Sequence, residues 1–429
     1  MKLDHIPARH WAAALGVCLL VALRPAAAAL TLDDYYAAAL KRSEVVATQS
    51  ELIRQAEERY RQAGASRLPT VDAIATRTRI DDGASDATAN PTRQRNSRIT
   101  ATQPLFRGFR EFATVRQTQA LMGAQGEDYR GARAQLFKDV AQNFYDVLTL
   151  EQDLANLDGQ IRQHQQREKE LDDRVRIGRS RVGEVLTVQA TVGTLRAQVE
   201  SRRAELGAAR EAFAFLSGLP VSTPLHDTET VPENPGTLDE HLARLELRPD
   251  VKAARQRLTA AQENVAVARG AHLPSLDLVA NRYLERTGSL RDVEWDVQLA
   301  LTLPLYAGGG TQSRVREAAS QGTQAELNAS QVRRQAEQEI RALHQAVTLD
   351  RSQLDALEKA TEAARKNYEA QRHDYRLGLV TNLDALQALT AFQENQRALD
   401  RARYAAKLNH LRLQAASARR PDAPEDAAP

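Results

Sequence analysis

Arg176-Ile177-Gly178-Arg179-Ser180-Arg181-Val182-Gly183-Glu184-Val185-Leu186 separates two long runs of helical periodicity. Before it, Leu136, Val140, Asn143, Val147, Leu150, Leu154, Leu157, Ile161, His164, Glu168, Leu171 and Val175 recur at alternating steps of four and three. After it, Val185, Val188, Val192, Leu195, Val199, Arg202, Leu206, Ala209, Phe213 and Leu216 do the same. Sustained seams of this period are the mark of left-handed coiled-coil packing. The stretch between them therefore predicts the turn of a helical hairpin. Gly178 and Gly183 are expected to supply its helix-ending and turn conformations.

The turn recurs as Arg376-Leu377-Gly378-Leu379-Val380-Thr381-Asn382-Leu383-Asp384-Ala385-Leu386, offset by 200 residues. Arg176 and Arg376, Gly178 and Gly378, and Glu184 and Asp384 correspond. Upstream, Pro104-Leu105-Phe106-Arg107-Gly108 matches Pro304-Leu305-Tyr306-Ala307-Gly308 at the same offset, while Leu68-Pro69 and Leu273-Pro274 are 205 apart. One plan is used twice, and the five-residue difference falls between strands, where loop length is tolerated.

Composition agrees with long helices rather than a thick globular core. Aromatic residues make up 5% of the 429, and Ala, Gln, Arg, Glu and Leu abound. Residues 1–28 resemble a secretory leader: Lys2 and Arg9, then an apolar segment from Trp11 to Leu23, then Ala26-Ala27-Ala28 as a cleavage site. Cleavage after Ala28 removes Cys18, the one cysteine, and with it any disulfide or thiolate metal site. A lipoprotein reading would cleave before Cys18, but Val17 fits that poorly and the apolar run continues to Leu23. Without the leader, 55 basic residues balance 55 acidic ones, which gives no support for nucleic-acid binding.

The expected organisation is a signal peptide at 1–28, a first repeat at 29–217, a Pro-rich linker at 218–237, a second repeat at 238–417 and a disordered tail at 418–429. Strands are expected at about 70–80, 95–106, 275–285 and 294–304. In the last, Trp295, Val297, Leu299, Leu301 and Leu303 face one way and Asp296, Gln298, Ala300 and Thr302 the other. Four strands of about ten residues suit the thickness of a bilayer but cannot close a barrel alone. Pooling strands between chains removes the open edges. Arg77, Arg79, Arg95 and Arg98 sit awkwardly with lipid-facing strands, and a small soluble β-patch is the competing reading.

The leader, the duplicated helix–strand–strand–helix–helix plan, the Leu-Pro entries, the Pro-Leu-Phe/Tyr-x-Gly exits and the turn from Tyr375 to Asp384 together resemble the TolC family of outer-membrane efflux channels. The resemblance spans about Leu30 to Ser417. It implies a mainly α fold with a small β part. Duplicated antiparallel coiled-coil hairpins would form an α-barrel tunnel in the periplasm, and four strands per chain would build a trimeric 12-stranded transmembrane β-barrel in the outer membrane. It further implies a homotrimer set in outer-membrane lipid, served by a periplasmic adaptor protein and an inner-membrane pump, with no cofactor and no enzymatic activity. A periplasmic coiled-coil scaffold or adaptor without a pore is the alternative.

Candidate functional residues concentrate at the tips. By resemblance, Asp384 matches an aspartate that rings the closed aperture, and Tyr375 matches a tyrosine tied to an acidic partner on the outer hairpin, here Glu184. Gln387 stands where a second aspartate is found, and Val380 where a gate arginine is found. Three repelling copies of Asp384 would raise its carboxyl pKa. Arg176, Gly178, Gly183, Arg376, Gly378 and Leu379 are the expected adaptor-docking residues. Both carboxylates also begin a helix, where the helix dipole favours them anyway. His164 reads as a packed seam residue rather than a ligand. Gly308-Gly309-Gly310 reads as a strand-to-helix turn rather than a phosphate loop, since it lacks the Lys-Ser/Thr. Asn143, Glu168 and Arg202 either face a bore or set the seam's register.

Overall fold

The computed structural model describes residues 29–81 and 92–419. The expected leader, with Cys18, and residues 420–429 of the expected tail lie outside them. The first repeat runs α1 (Leu32–Arg42), α2 (Glu44–Ala65), β1 (Thr70–Arg79), β2 (Arg93–Arg107), α3 (Arg110–Arg176) and α4 (Val182–Ser217). The second runs α5 (Leu238–Leu242), α6 (Pro249–Gly270), β3 (Ser275–Arg286), β4 (Trp295–Thr302), α7 (Gly310–Leu377) and α8 (Asn382–Ala416). Thr31 caps α1 in a reciprocal box with Asp34, and Ser43 ends α1 and caps α2. At 67 residues, α3 is about 100 Å long.

Every seam residue named on α3 and α4 is buried or half-buried. Near the middle of the molecule the core is aromatic: Tyr35 lies 4.6 Å from Phe213, Tyr36 5.3 Å from Phe137 and Phe144 5.4 Å from Tyr145. Asn143 belongs to this core. It accepts from Tyr35 Oη at 2.8 Å and donates to the Ala209 carbonyl at 3.0 Å, so it sets register and does not line a bore. Glu168 accepts from Gln189 across the hairpin at 2.8 Å. Arg202 pairs with Glu205 and approaches the buried Asp153, which Arg401 of α8 also binds. His164 is 2% exposed, its pKa lowered by burial, and its Nδ1 finds no partner among the described residues.

The four strands form one antiparallel sheet in the order β1-β2-β3-β4, leaving β1 and β4 as edges. The duplication is visible in its register. Val71 faces Ala101, and Leu276 faces Leu301, offsets of 205 and 200 that match the sequence repeat. One face carries Leu276, Leu278, Ala280, Val297, Leu299, Leu301, Ile99 and Ala101. The other carries a polar row crossing all four strands, Asp72–Thr100–Asn281–Asp296. Along that row Thr100 donates to Asn281 and Asn281 to Asp296, each at 2.8 Å, and Tyr283 adds a bond to Asp296 at 2.7 Å. Arg98 joins this polar face through Thr100 at 3.2 Å, which removes one of the four awkward arginines from the apolar side.

The second strand of each repeat leads to its long helix through two left-handed residues, Gly108-Phe109 and Gly308-Gly309. Gly108 is required twice over. Its φ is +66°, and a Cβ there would lie 2.2 Å from the Gly270 carbonyl oxygen, where α6 crosses against the turn. Among the described residues no helix is long and apolar enough to cross a membrane.

Candidate functional site

The two tips are built alike. At the end of α3, Gly178 takes φ +69°, its N–H reaches the Val175 carbonyl at 3.0 Å, and the Arg179 N–H reaches Arg174 at 2.7 Å. At the end of α7, Gly378 takes φ +79°, with bonds to Tyr375 at 3.1 Å and from Leu379 to Asp374 at 2.9 Å. These are left-handed glycine caps that satisfy the last carbonyls of each helix. Gly183 departs from the expectation. It lies inside the first turn of α4 without a positive φ, so the left-handed residue of the first turn is Gly178, as Gly378 is of the second.

The starts of the return helices differ. Thr381 and Asp384 form a capping box on α8. Asp384 Oδ2 accepts from the Thr381 hydroxyl at 2.5 Å and the Thr381 N–H at 2.9 Å, and the Asp384 N–H donates to Thr381 Oγ1 at 3.3 Å. Within one chain these bonds from the Thr381 side chain and backbone hold the Asp384 carboxyl below the usual aspartate range. That is the opposite direction to the rise expected from three repelling copies. On α4 the N-cap is Arg181, which gives no side-chain cap, and Glu184 accepts from Ser180 Oγ at 2.9 Å.

Tyr375 is 7% exposed and packs with Leu171, Val185, Val188 and Ala385, drawn from α3, α4 and α8. Its ring lies under two guanidinium groups of α3, Arg167 at 3.8 Å and Arg174 at 4.5 Å from the centroid. No hydrogen bond joins Tyr375 to Glu184 among the described residues, although both line one cleft at the tip. The expected tie is replaced by another. Arg167, only 13% exposed, donates to Asn382 Oδ1 of α8 at 2.7 and 3.1 Å while covering Tyr375 of α7. One side chain of the first hairpin thus holds both helices of the second. Arg167 and Asn382 carried no sequence signal beyond being polar residues near a tip.

The remaining tip residues face outward. Arg176 is exposed and engaged with Asp172 at 2.8 Å; Arg376, Gly378 and Gln387 are exposed. Val380 packs partly buried against the Tyr375 cluster. Around them stand exposed apolar side chains: Ile177, Val182 and Leu186 on the first tip, Leu377, Leu379 and Leu383 on the second, all at least 57% exposed. Both tips thus present large apolar groups to solvent. Among the described residues no group of three or more His, Cys, Asp or Glu is placed to hold a metal ion.

Comparison with known proteins places this geometry in context. The family described as outer membrane efflux protein matches residues 35–219 and 243–419, one segment per repeat. The chain is 24% identical over 377 residues to the outer membrane protein TolC of Escherichia coli K12, covering 84% of this chain and 76% of that protein. It is 23% identical over 312 residues to the outer membrane efflux protein BepC of Brucella suis biovar 1, covering 71% and 68%. The solved structure of CusC superposes with a TM-score of 0.81 at 20% identity, covering 90% of this chain and 91% of that one.

Proposed function

The chain belongs to the outer membrane efflux protein family, and from that premise we propose that three copies form one exit duct: a 12-stranded barrel in the outer membrane continuous with a helical tunnel in the periplasm. The observation that carries this is the sheet. Its two edges are open, its register repeats with the sequence offsets, and one face is apolar over several rows. An isolated four-stranded sheet with an exposed face of Trp295, Val297, Leu299 and Leu301 is unstable in water but suits a lipid-facing wall. A soluble scaffold or adaptor would leave that face wet.

The helices support the same reading. α3 and α7 are nearly equal in length, yet α3 buries seventeen residues and α7 six. α7 lies at the flank of the chain and gains its missing neighbours only from another copy. In the assembled duct, Asp384 lines the narrow end as a cation-attracting constriction. The apolar tips, with Arg176, Arg376, Gly178, Gly378 and Leu379, meet a periplasmic adaptor that couples the duct to an inner-membrane pump. Glu184 supports the first tip through Ser180, and Gln387 extends the lining beyond Asp384. Images of detergent-extracted particles test the assembly. A long hollow particle with threefold symmetry is expected, and a solid or monomeric rod contradicts it.

A further inference from the structure

We propose that the upper rim of the sheet's apolar face is a docking surface for the phosphate groups of lipids in the outer leaflet. This rests on the barrel reading above. Counting away from the helices, the apolar face runs through Leu276–Leu301, Leu278–Leu299, Ala101–Ala280–Val297 and Ala73–Ile99–Arg282–Trp295. Ala75–Ser97–Glu285 follows, and then Arg77 faces Arg95 and Arg79 faces Arg93. Successive rows lie two residues apart, about 6.6 Å along the strand. The rows from Leu276–Leu301 to Ala73–Trp295 therefore span about 20 Å, with Arg282 in the last of them, against a lipid-facing band about 25 Å tall. Trp295 stands at the last apolar row, the level where an aromatic ring meets headgroups.

Arg98 and Arg286 take the other face, but on β1 and β2 beyond Ser97 the arginines are one-sided. The residues alternating with them, Thr76, Thr78, Gln94 and Asn96, face the other way and are uncharged. That segregation on β1 and β2 suits a layer of anions against the outer wall. Arg95 and Arg282 are paired, with Glu285 at 3.5 Å and Glu294 at 2.6 Å. Arg77, Arg79 and Arg93 make no ion pair among the described residues, so three guanidinium groups per chain are available. Guanidinium binds phosphate through two parallel hydrogen bonds. The helices occupy the opposite end of the sheet, in the periplasm, so the arginines lie at the external leaflet.

The test uses the full chain, purified as its detergent-solubilised assembly and delipidated. It is exposed to a bisphosphorylated lipid A, to the same lipid after phosphatase treatment, and to inorganic phosphate, with bound lipid read by native mass spectrometry. Wild type should retain the phosphorylated lipid in preference. The Arg77→Gln/Arg79→Gln/Arg93→Gln variant should retain roughly tenfold less of it, with retention of the dephosphorylated lipid unchanged. Should that variant fail to assemble, the corresponding triple Lys variant carries the test and should lose about threefold, since an ammonium is a point charge without the fork. Equal retention of both lipids by wild type, or unchanged retention in the variants, overturns the inference while leaving the trimer standing. So does displacement of the lipid by inorganic phosphate at equal concentration. A wild-type protein that is not trimeric contradicts the barrel itself.

Discussion

Asp384 and Tyr375 show what a residue's type conveys and what it hides. The spacing Thr381-x-x-Asp384 is a legible helix cap, and both bonds of the box are present. The tie from Tyr375 to Glu184 was expected by resemblance and is absent, because Glu184 is held by Ser180 and the Tyr375 ring is covered by Arg167 and Arg174. A cation over a ring face depends on where two helices cross, which no local spacing encodes. The chemistry changes the expected phenotypes. Tyr375→Phe keeps the ring face, and Glu184→Gln keeps an acceptor for Ser180, so both should leave pore closure near wild type. Arg167→Gln removes a stacked cation and two bonds to Asn382. Their combined worth is on the order of 2–3 kcal/mol. In planar bilayers this variant should open at least tenfold more often, and wild-type closure would refute the latch. Asp384→Asn should weaken cation selectivity and block by multivalent cations without opening the pore. The Asp384 pKa is depressed in the folded chain, so the cap's contribution is present above the ordinary aspartate pKa and is lost as pH falls through the depressed value. Cation block should accordingly survive acidification through the ordinary aspartate range and fade below it. Fading at higher pH would mean that repulsion among three copies outweighs the Thr381 bonds.

At the scale of elements, the long helices were the most legible part, because a seam kept over many turns has few other readings. The breaks between α3 and α4 and between α7 and α8 fall within the two expected turns. The strands were legible as alternation, but the face each arginine takes was not. It depends on pairing register, and a shift of one residue reverses every side chain. The observed register sends Arg98 to the polar face and gathers Arg77, Arg79, Arg93 and Arg95 at the far end of the apolar one. The same register yields a paired prediction in the middle of β4. Leu299 lies on the apolar face opposite Leu278, and Gln298 lies on the other face opposite Val279. Leu299→Arg should cost about 2–4 kcal/mol per chain in a bilayer and block insertion, whereas Gln298→Arg should insert. Heat-stable, detergent-extractable trimer in the outer-membrane fraction measures this, and equal yields from both variants would contradict the assignment of faces.

For the whole molecule, the internal repeat reaches beyond the single chain. Inside the chain the exit strand of the first repeat pairs with the entry strand of the second, Ala101 facing Ala280. Carrying Ala101 forward by 200 and Ala280 back by 205, the sequence offsets, puts Leu301 of β4 opposite Ala75 of β1 in the next copy. Both residues belong to the apolar face, so the junction between copies would keep that face on one side of the wall. Four strands, two open edges and a helix with one bare flank then become parts of a closed threefold duct. The direct measurement is a crosslink in a Cys18→Ala background carrying Leu301→Cys and Ala75→Cys, treated in outer membranes with a short bifunctional thiol reagent. Opposed strand residues have Cβ atoms about 5 Å apart, within reach of such a bridge. The account predicts a covalently closed species of three chains, and little product from the pair Leu301→Cys with Thr76→Cys, whose side chains point to opposite faces. Monomer alone from the first pair, or equal product from both, would contradict the trimeric barrel.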